Sequence, residues 1–199
     1  IQVWAGLGAR VVAVEPQPHC MRLLRRWYGK HPHVTLLEEA VGATSGTQSL
    51  FMSQRNPTVS TLSQEWIETV QERDASFANV EWDEAIPVTM TTLDALIAQY
   101  GQPVFCKIDV EGYELSVLEG LSQPIQALSF EYIPATTDAS LACLARLAEL
   151  APYEFNFSHS ETHRLQSPTW LTSAQMAHVL REMTVESGSG DIYARRRAQ

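Results

Sequence analysis

The chain has 199 residues, of which 45% are hydrophobic, and this is enough apolar material for one core and a single domain over residues 1–199. Its 14 Lys and Arg against 23 Asp and Glu give a formal net charge of −9, which argues against nucleic acid as a partner because phosphate backbones attract basic surfaces. The sequence has no run of about 20 apolar residues that would predict a membrane span, and no leader-like N-terminus. We therefore expect a soluble, cytoplasmic protein.

Apolar runs of strand length alternate with segments of helical period along most of the chain, and this rhythm predicts the α/β class with an open parallel sheet. Helices are expected after the first strand, from Ser63, from Thr92, after Gly112, from about Ser140, and from Thr172 or Ser173. We expect residues 42–59 to form a loop-rich insertion and residues 74–85 to be mobile. The predicted strands are residues 10–15, 34–38, 47–52, 88–90, 104–108, 127–132, 153–157 and 191–195.

Carboxylates stand at the ends of four of these strands. They are Glu15, Glu38 or Glu39, Asp109 and Glu131. In open α/β sheets, ligands bind beyond the carboxyl ends of the strands, so these positions are candidates for a binding site. A carboxylate in the place of Glu15 can accept hydrogen bonds from the two ribose hydroxyls of a nucleoside cofactor, although solvated acids at strand ends are equally common.

The segment 107–114 is a more specific signal than any single acid. It puts Lys107, Asp109, Glu111 and Glu114 within eight residues at a strand-to-helix turn. Such crowding of like charges is costly without a structural or ligand-related reason. Gly112 supplies the permissive backbone that the turn needs. The alternative is that Lys107 pairs with a neighbouring acid and Glu111 caps the helix.

These residues resemble the hallmark of the FkbM-type methyltransferases, which use S-adenosylmethionine. The resemblance includes segment 107–114 and the Val117-Leu118-Glu119-Gly120 step, and it covers about residues 11–133. Its other parts are Val11-Val12-Ala13-Val14-Glu15-Pro16, Glu39-Ala40-Val41-Gly42, Thr91-Thr92-Leu93-Asp94 and Phe130-Glu131-Tyr132.

The resemblance implies a seven-stranded, Rossmann-like class I methyltransferase sheet with helices on both faces. It also implies that Glu15, next to Pro16, holds the ribose of the cofactor, that Glu39 and Ala40 lie near its adenine, and that Asp109 faces its methionine part. Members of the family mostly methylate hydroxyl groups on sugars or natural products. The implied partner is thus a small molecule or glycan that carries a hydroxyl group.

One feature of the family is missing from the sequence. Such enzymes normally begin with a strand and a glycine-rich turn that cradles the amino-acid end of the cofactor, whereas residues 1–5 here resemble the helix that follows this turn. The missing strand would lie between the strands that end at Glu15 and Asp109. Either these two strands pair directly in a contracted sheet, or the chain is a truncated segment, and we expect the second case.

For the complete protein, we expect in-line transfer of the sulfonium methyl group to a hydroxyl that loses its proton to a base. The candidate bases are Asp109, Glu111 and Glu131, and the sequence leaves the choice open. His19 and His159 are alternatives, for which structural or surface roles are favoured. We expect no metal requirement, because no Cys and His set with ligand spacing accompanies these acids.

Two other function classes stay open. A nicotinamide dehydrogenase would also use an acid after its second strand, but it leaves the cluster at residues 109–114 unexplained and lacks its own glycine fingerprint. A non-catalytic relative that kept the sheet and binds a glycan or a partner protein is the stronger competitor. Binding of S-adenosylmethionine separates this competitor from an enzyme.

Overall fold

The computed structural model of the protein describes residues 1–162 and 164–197, and it confirms the α/β class. Within this part of the chain, no helix is long and apolar enough to cross a membrane. The α-helices are α1 (Gln2–Gly6), α2 (Pro18–Tyr28), α3 (Gln64–Arg73), α4 (Leu93–Tyr100), α5 (Glu114–Glu119), α6 (Thr137–Leu150) and α7 (Ser173–Glu182). The strands are β1 (Val11–Val14), β2 (Val34–Leu37), β3 (Ala40–Val41), β4 (Gly46–Met52), β5 (Glu84–Thr91), β6 (Cys106–Ile108), β7 (Ala127–Tyr132), β8 (Tyr153–His159) and β9 (Gly190–Arg196).

The strands form three hydrogen-bonded sheets, which differs from the single sheet predicted from the sequence. Strands β1 and β2 make a parallel pair, and the second sheet has the order β3-β5-β4. The third sheet has the order β6-β7-β9-β8, in which only β6 and β7 are parallel neighbours. The ladders given for the described residues do not join β1 to β6, so the contracted sheet is not formed.

The main hydrophobic core lies on the four-stranded sheet. Fully buried side chains from β7 and β8, such as Phe130 and Phe155, pack with Leu118 of α5, Leu144 of α6 and Met176 of α7. Strand β7 is therefore held between two neighbouring strands and against helices. Glu131, near the carboxyl end of β7, is held in a fixed position by this packing. Burial of this kind is the main source of stability in a domain of this size.

Several predicted bounds change because packing decides where a strand ends. Strand β6 is only three residues long, and Val104, which was predicted to begin it, is 80% exposed. Strand β5 has eight residues because it pairs along the whole of β4. In α2, Trp27 is 65% exposed, whereas Met21 is fully buried.

Residues 42–83 comprise the insertion at residues 42–59 and the segment that follows it, and they are called the 42–83 segment below. Strand β4 lies in the insertion and helix α3 follows it, both as predicted, and the Ser63 side chain caps α3 by accepting the backbone N–H of Trp66. The stretch expected to be mobile contributes Phe77 and Trp82, both of which pack edge-to-face against Trp66. The 42–83 segment is thereby fixed over the carboxyl end of β7, where Trp66 shares a cluster with Ile133.

A close approach of two backbones joins α5 to the second sheet. A Cβ atom on Gly120 would lie 2.3 Å from the carbonyl oxygen of Gly42, a distance that real contacts do not reach. Gly120 also accepts a backbone hydrogen bond from Asp94 at the start of α4. Glycine at position 120 is therefore required by packing.

We expect Gly120→Ala to lower the free energy of unfolding by about 2 kcal/mol or more, because the added methyl group forces two backbones apart. Gly6→Ala is the matched control, since a Cβ atom there meets nothing within 4 Å. Urea unfolding of both variants checks the prediction. Equal stabilities of the two variants would contradict it.

Candidate functional site

Three of the carboxylates proposed from the sequence converge at the carboxyl ends of β6 and β7. Oxygen atoms of Asp109, Glu111 and Glu131 all lie within 4.8 Å of one another. The reason is topological, because β6 and β7 are parallel neighbours with Ile108 opposite Phe130, so the residues that follow them meet at one edge. A set of three carboxylates at this spacing can share a proton or hold a cation.

The turn between β6 and α5 has an unusual backbone. Glu111 has φ of 50° and Gly112 has φ of 83°, so two consecutive residues lie in the left-handed region. The side chain of Glu114, which is buried, accepts a hydrogen bond from the N–H of Gly112 at 3.2 Å. The hydroxyl of Thr61 donates to the carbonyl of Glu111 at 2.6 Å. The strained conformation is thus held from both sides.

Lys107 supplies positive charge beside the cluster. Its Nζ lies 3.2 Å from Asp109 and 2.5 Å from Asp191. Burial alone would lower the pKa of Lys107, but the bonds to Asp191 and Asp109 raise it above its usual value. The ammonium group therefore stays charged, and it offsets part of the repulsion among the acids.

Burial and mutual repulsion raise the pKa values of Glu111 and Glu131 to different extents. Burial raises the pKa of Glu111 to about 9, with further contributions from Glu131 and Asp109. Burial, with the charges of Asp109 and Glu114, raises the pKa of Glu131 to about 7. At neutral pH Glu111 keeps its proton, whereas Glu131 exchanges its proton readily with a bound group.

Glu15 follows β1 directly and is half-buried. Its Oε1 accepts the backbone N–H of Gln17 at 2.8 Å, and burial raises its pKa despite this hydrogen bond. Pro16, the next residue, lines an open cavity of about 360 Å³. The other lining residues are Pro18, Glu38, Ile86, Pro87, Val88 and Thr89. A volume of this size is within the range of ligand pockets in proteins.

Two of the proposed cofactor contacts lie beside this cavity without lining it. Ala40 is the first residue of β3 and is buried in the core of the second sheet, so only its backbone can approach a ligand. Glu39 is half-buried between β2 and β3. The preceding acid, Glu38, lines the cavity and pairs with Arg25 at 2.7 Å.

The two histidines considered as alternative bases each contact another side chain. His19 is exposed on α2, with its Nδ1 3.4 Å from Arg22. His159 ends β8, and its Nδ1 lies 2.9 Å from the hydroxyl of the buried Tyr132. Both contacts fit the structural roles that the sequence favoured.

Sequence reasoning missed two residues of the 42–83 segment, Ser60 and Thr61, that contact the two halves of the site. Ser60 donates a hydrogen bond to the side chain of Gln17, next to Glu15, at 3.1 Å. The following residue, Thr61, bonds to Glu111. Adjacent residues are about 3.8 Å apart, so the end of β1 and the acid turn are brought close to the same segment. Two hydroxyl residues in a polar loop carry no periodic signal that could have revealed this.

Comparison with known proteins identifies a family. A family model described as "Methyltransferase FkbM domain" matches residues 4–167, which is most of the chain. A search of curated proteins finds no match.

The raised pKa of Glu111 predicts that the protein loses stability as pH rises. The folded chain keeps a proton up to about pH 9 that the unfolded chain releases near pH 4.5, so this contribution is complete below pH 4.5 and is lost as pH rises toward 9. From pH 5 to pH 8, wild type should therefore lose about 1.4 kcal/mol of stability per pH unit relative to Glu111→Gln, or about 4 kcal/mol over the range. Urea unfolding at both pH values checks this.

The control for this experiment is Glu119→Gln, at an exposed carboxylate on the last residue of α5. Its stability relative to wild type should be the same at both pH values. A difference between wild type and Glu111→Gln that does not change with pH would show that Glu111 is ionised in the folded protein.

Proposed function

We propose that this chain, which belongs to the FkbM methyltransferase family, transfers a methyl group from S-adenosylmethionine to a hydroxyl group of a sugar, glycan or other small molecule. The observation that carries the proposal is the convergence of Asp109, Glu111 and Glu131, with a pKa of about 7 for Glu131. Removing a proton from a hydroxyl at neutral pH calls for a base of this kind.

The end of β1 is the proposed binding place for the nucleoside part of S-adenosylmethionine. The Glu15 carboxylate, oriented by the N–H of Gln17, is suited to accept hydrogen bonds from two ribose hydroxyls. The adjacent cavity of about 360 Å³, with Pro16 in its wall, has room for a ring system such as adenine, near Glu39 and Ala40. When bound, the cofactor supplies an electrophilic methyl group on a sulfonium. Asp109 is the proposed neighbour of its positively charged methionine part.

We further propose that the working enzyme has a Rossmann-like class I sheet in which one more parallel strand, with a glycine-rich turn, lies between β1 and β6. The support is that β1 and β6 each pair on one edge only within the ladders of the described residues. The stacking of Trp4 on Phe105, with ring centroids 5.5 Å apart, holds the regions before these two strands together. The free edge of each strand carries unpaired backbone N–H and C=O groups, and a further strand between them would satisfy these groups.

Glu131 is the proposed general base. Glu111 holds its own proton at neutral pH, so it is less suited to accept one, and the Asp109 carboxylate is engaged by Lys107 at 3.2 Å. Glu131 is placed on the rigid central part of the sheet, since β7 pairs with both β6 and β9. Its role is to take the hydroxyl proton while the oxygen attacks the methyl group.

The proposed reaction needs no metal ion. Lys107, 3.2 Å from Asp109, supplies a fixed positive charge at the place where a divalent cation would neutralise the acids. Treatment with a chelator should therefore leave the rate unchanged.

We expect Glu15→Ala to abolish binding of S-adenosylmethionine, because the hydrogen bonds to the ribose are lost, while the control Glu119→Gln binds as wild type does. Calorimetry on the 199-residue chain and on the full product of its natural coding sequence checks this. The form that supplies the further strand should bind more tightly. If neither form binds, a non-catalytic role replaces the enzyme.

We expect the value of kcat/KM for methyl transfer to rise with pH, with an apparent pKa near 7, because Glu131 acts in its ionised form. Glu131→Gln should lower kcat by about 10²–10⁴-fold and leave cofactor affinity unchanged. Transfer of labelled methyl groups to a panel of methyl glycosides provides the assay. A pH profile that Glu131→Gln leaves unaltered would assign the base elsewhere.

A further inference from the structure

The indole N–H of Trp66 is a buried donor without an acceptor. Trp66 is only 4% exposed, and its Nε1 has no hydrogen-bond partner in the described part of the chain. Its neighbour Trp82 is different, because the Nε1 of Trp82 donates to the carbonyl of Val59 at 2.8 Å. An unsatisfied buried donor costs about 1–3 kcal/mol, so native proteins rarely keep one unless another group completes the bond.

Trp66 and Glu131 line the same small cavity, at the carboxyl end of β7. Its volume is about 10 Å³, which is room for one group of the size of a water molecule, and its wall includes Gly112, Glu114, Ser140 and Cys143. An indole N–H can only donate, whereas an ionised carboxylate can only accept. A hydroxyl group both donates and accepts, and its oxygen has about the size of the water molecule for which the cavity has room.

The position of the indole is fixed by packing. A Cβ atom on Gly112 would lie 2.0 Å from Cδ1 of Trp66, so the ring rests directly on the backbone of the acid turn. Phe77 and Trp82 hold it edge-to-face, with ring centroids 5.5 Å and 6.0 Å away. Any group that satisfies the N–H must therefore come to Trp66, because the ring has no room to turn.

We infer that Trp66 binds the acceptor oxygen of the substrate, so that the indole N–H donates to the hydroxyl oxygen while the hydroxyl proton is donated to Glu131. This inference rests on the proposed function and adds a residue that determines specificity. In the reaction, the O–H bond breaks and its proton passes to Glu131. The new O–C bond forms as the C–S bond breaks, and the electron pair of that bond stays on sulfur. The Trp66 N–H stabilises the negative charge that develops on oxygen.

The donor at Trp66 also selects among acceptor groups. A protonated amine has hydrogen atoms to donate but no lone pair to accept the indole N–H, so it would leave Trp66 unpaired. A site that pairs with a hydroxyl rejects groups that leave its buried polar atoms unsatisfied. The site therefore favours hydroxyl over ammonium groups.

The first test uses wild-type protein with ¹⁵N-labelled tryptophan, methanol as the smallest hydroxyl probe and methylammonium as the matched probe without a lone pair. Methanol should shift the indole signal of Trp66, which is assigned by its loss in Trp66→Phe, and leave the signal of Trp82 in place. Methylammonium should shift neither signal. Equal shifts with both probes, or a water molecule at Trp66 that methanol does not displace, would overturn the inference.

The second test compares Trp66→Phe with the control Trp27→Phe, at an exposed tryptophan of α2, and both variants keep an aromatic ring. Trp66→Phe should lower kcat/KM at least about tenfold with unchanged affinity for S-adenosylmethionine, and Trp27→Phe should change it less than about twofold. Equal effects of the two variants would overturn the inference. If wild type binds no S-adenosylmethionine, the proposed methyl transfer fails, and the methanol titration still decides whether Trp66 holds a hydroxyl group.

Discussion

The main physical constraint on this structure is the repulsion among the carboxylates that lie together at the carboxyl ends of β6 and β7. Asp109, Glu111 and Glu131 would repel one another if all were ionised, and burial of two of them adds to that cost. The protein offsets the cost with the ammonium of Lys107 and with a proton kept on Glu111. Burial of the hydrophobic core therefore offsets the remaining cost of holding these charges together.

The 42–83 segment contacts the candidate site through residues that are distant from it in sequence. Ser60 and Thr61 reach the end of β1 and the acid turn, and Trp66 covers Gly112. If Gly112 were replaced by any other residue, its Cβ atom would collide with the indole of Trp66. The 42–83 segment therefore packs against the carboxyl ends of the strands, where the predicted acids lie.

Where the signal is local, the sequence predicted which acids stand at the ends of β6 and β7. Asp109 and Glu131 were identified because each stands at the end of an apolar run, and Gly112 because a strand-to-helix turn needs a permissive backbone. The sequence did not distinguish Trp66 from the other tryptophans and did not reveal Thr61, since their contacts are with residues about 50 positions away. The prediction from the sequence also began β6 at Val104, because the sequence does not show whether an apolar residue is buried or exposed.

By itself, the sequence determined the α/β class, the family motif and the acids at the strand ends, because these follow from hydrophobic period and chain-local turns. Only the tertiary structure decided how three sheets divide the strands and which carboxylate titrates near neutral pH. Glu111 and Glu131 are chemically identical side chains. Their pKa values differ because burial and neighbouring charges act through space, and these depend on contacts that no local pattern encodes.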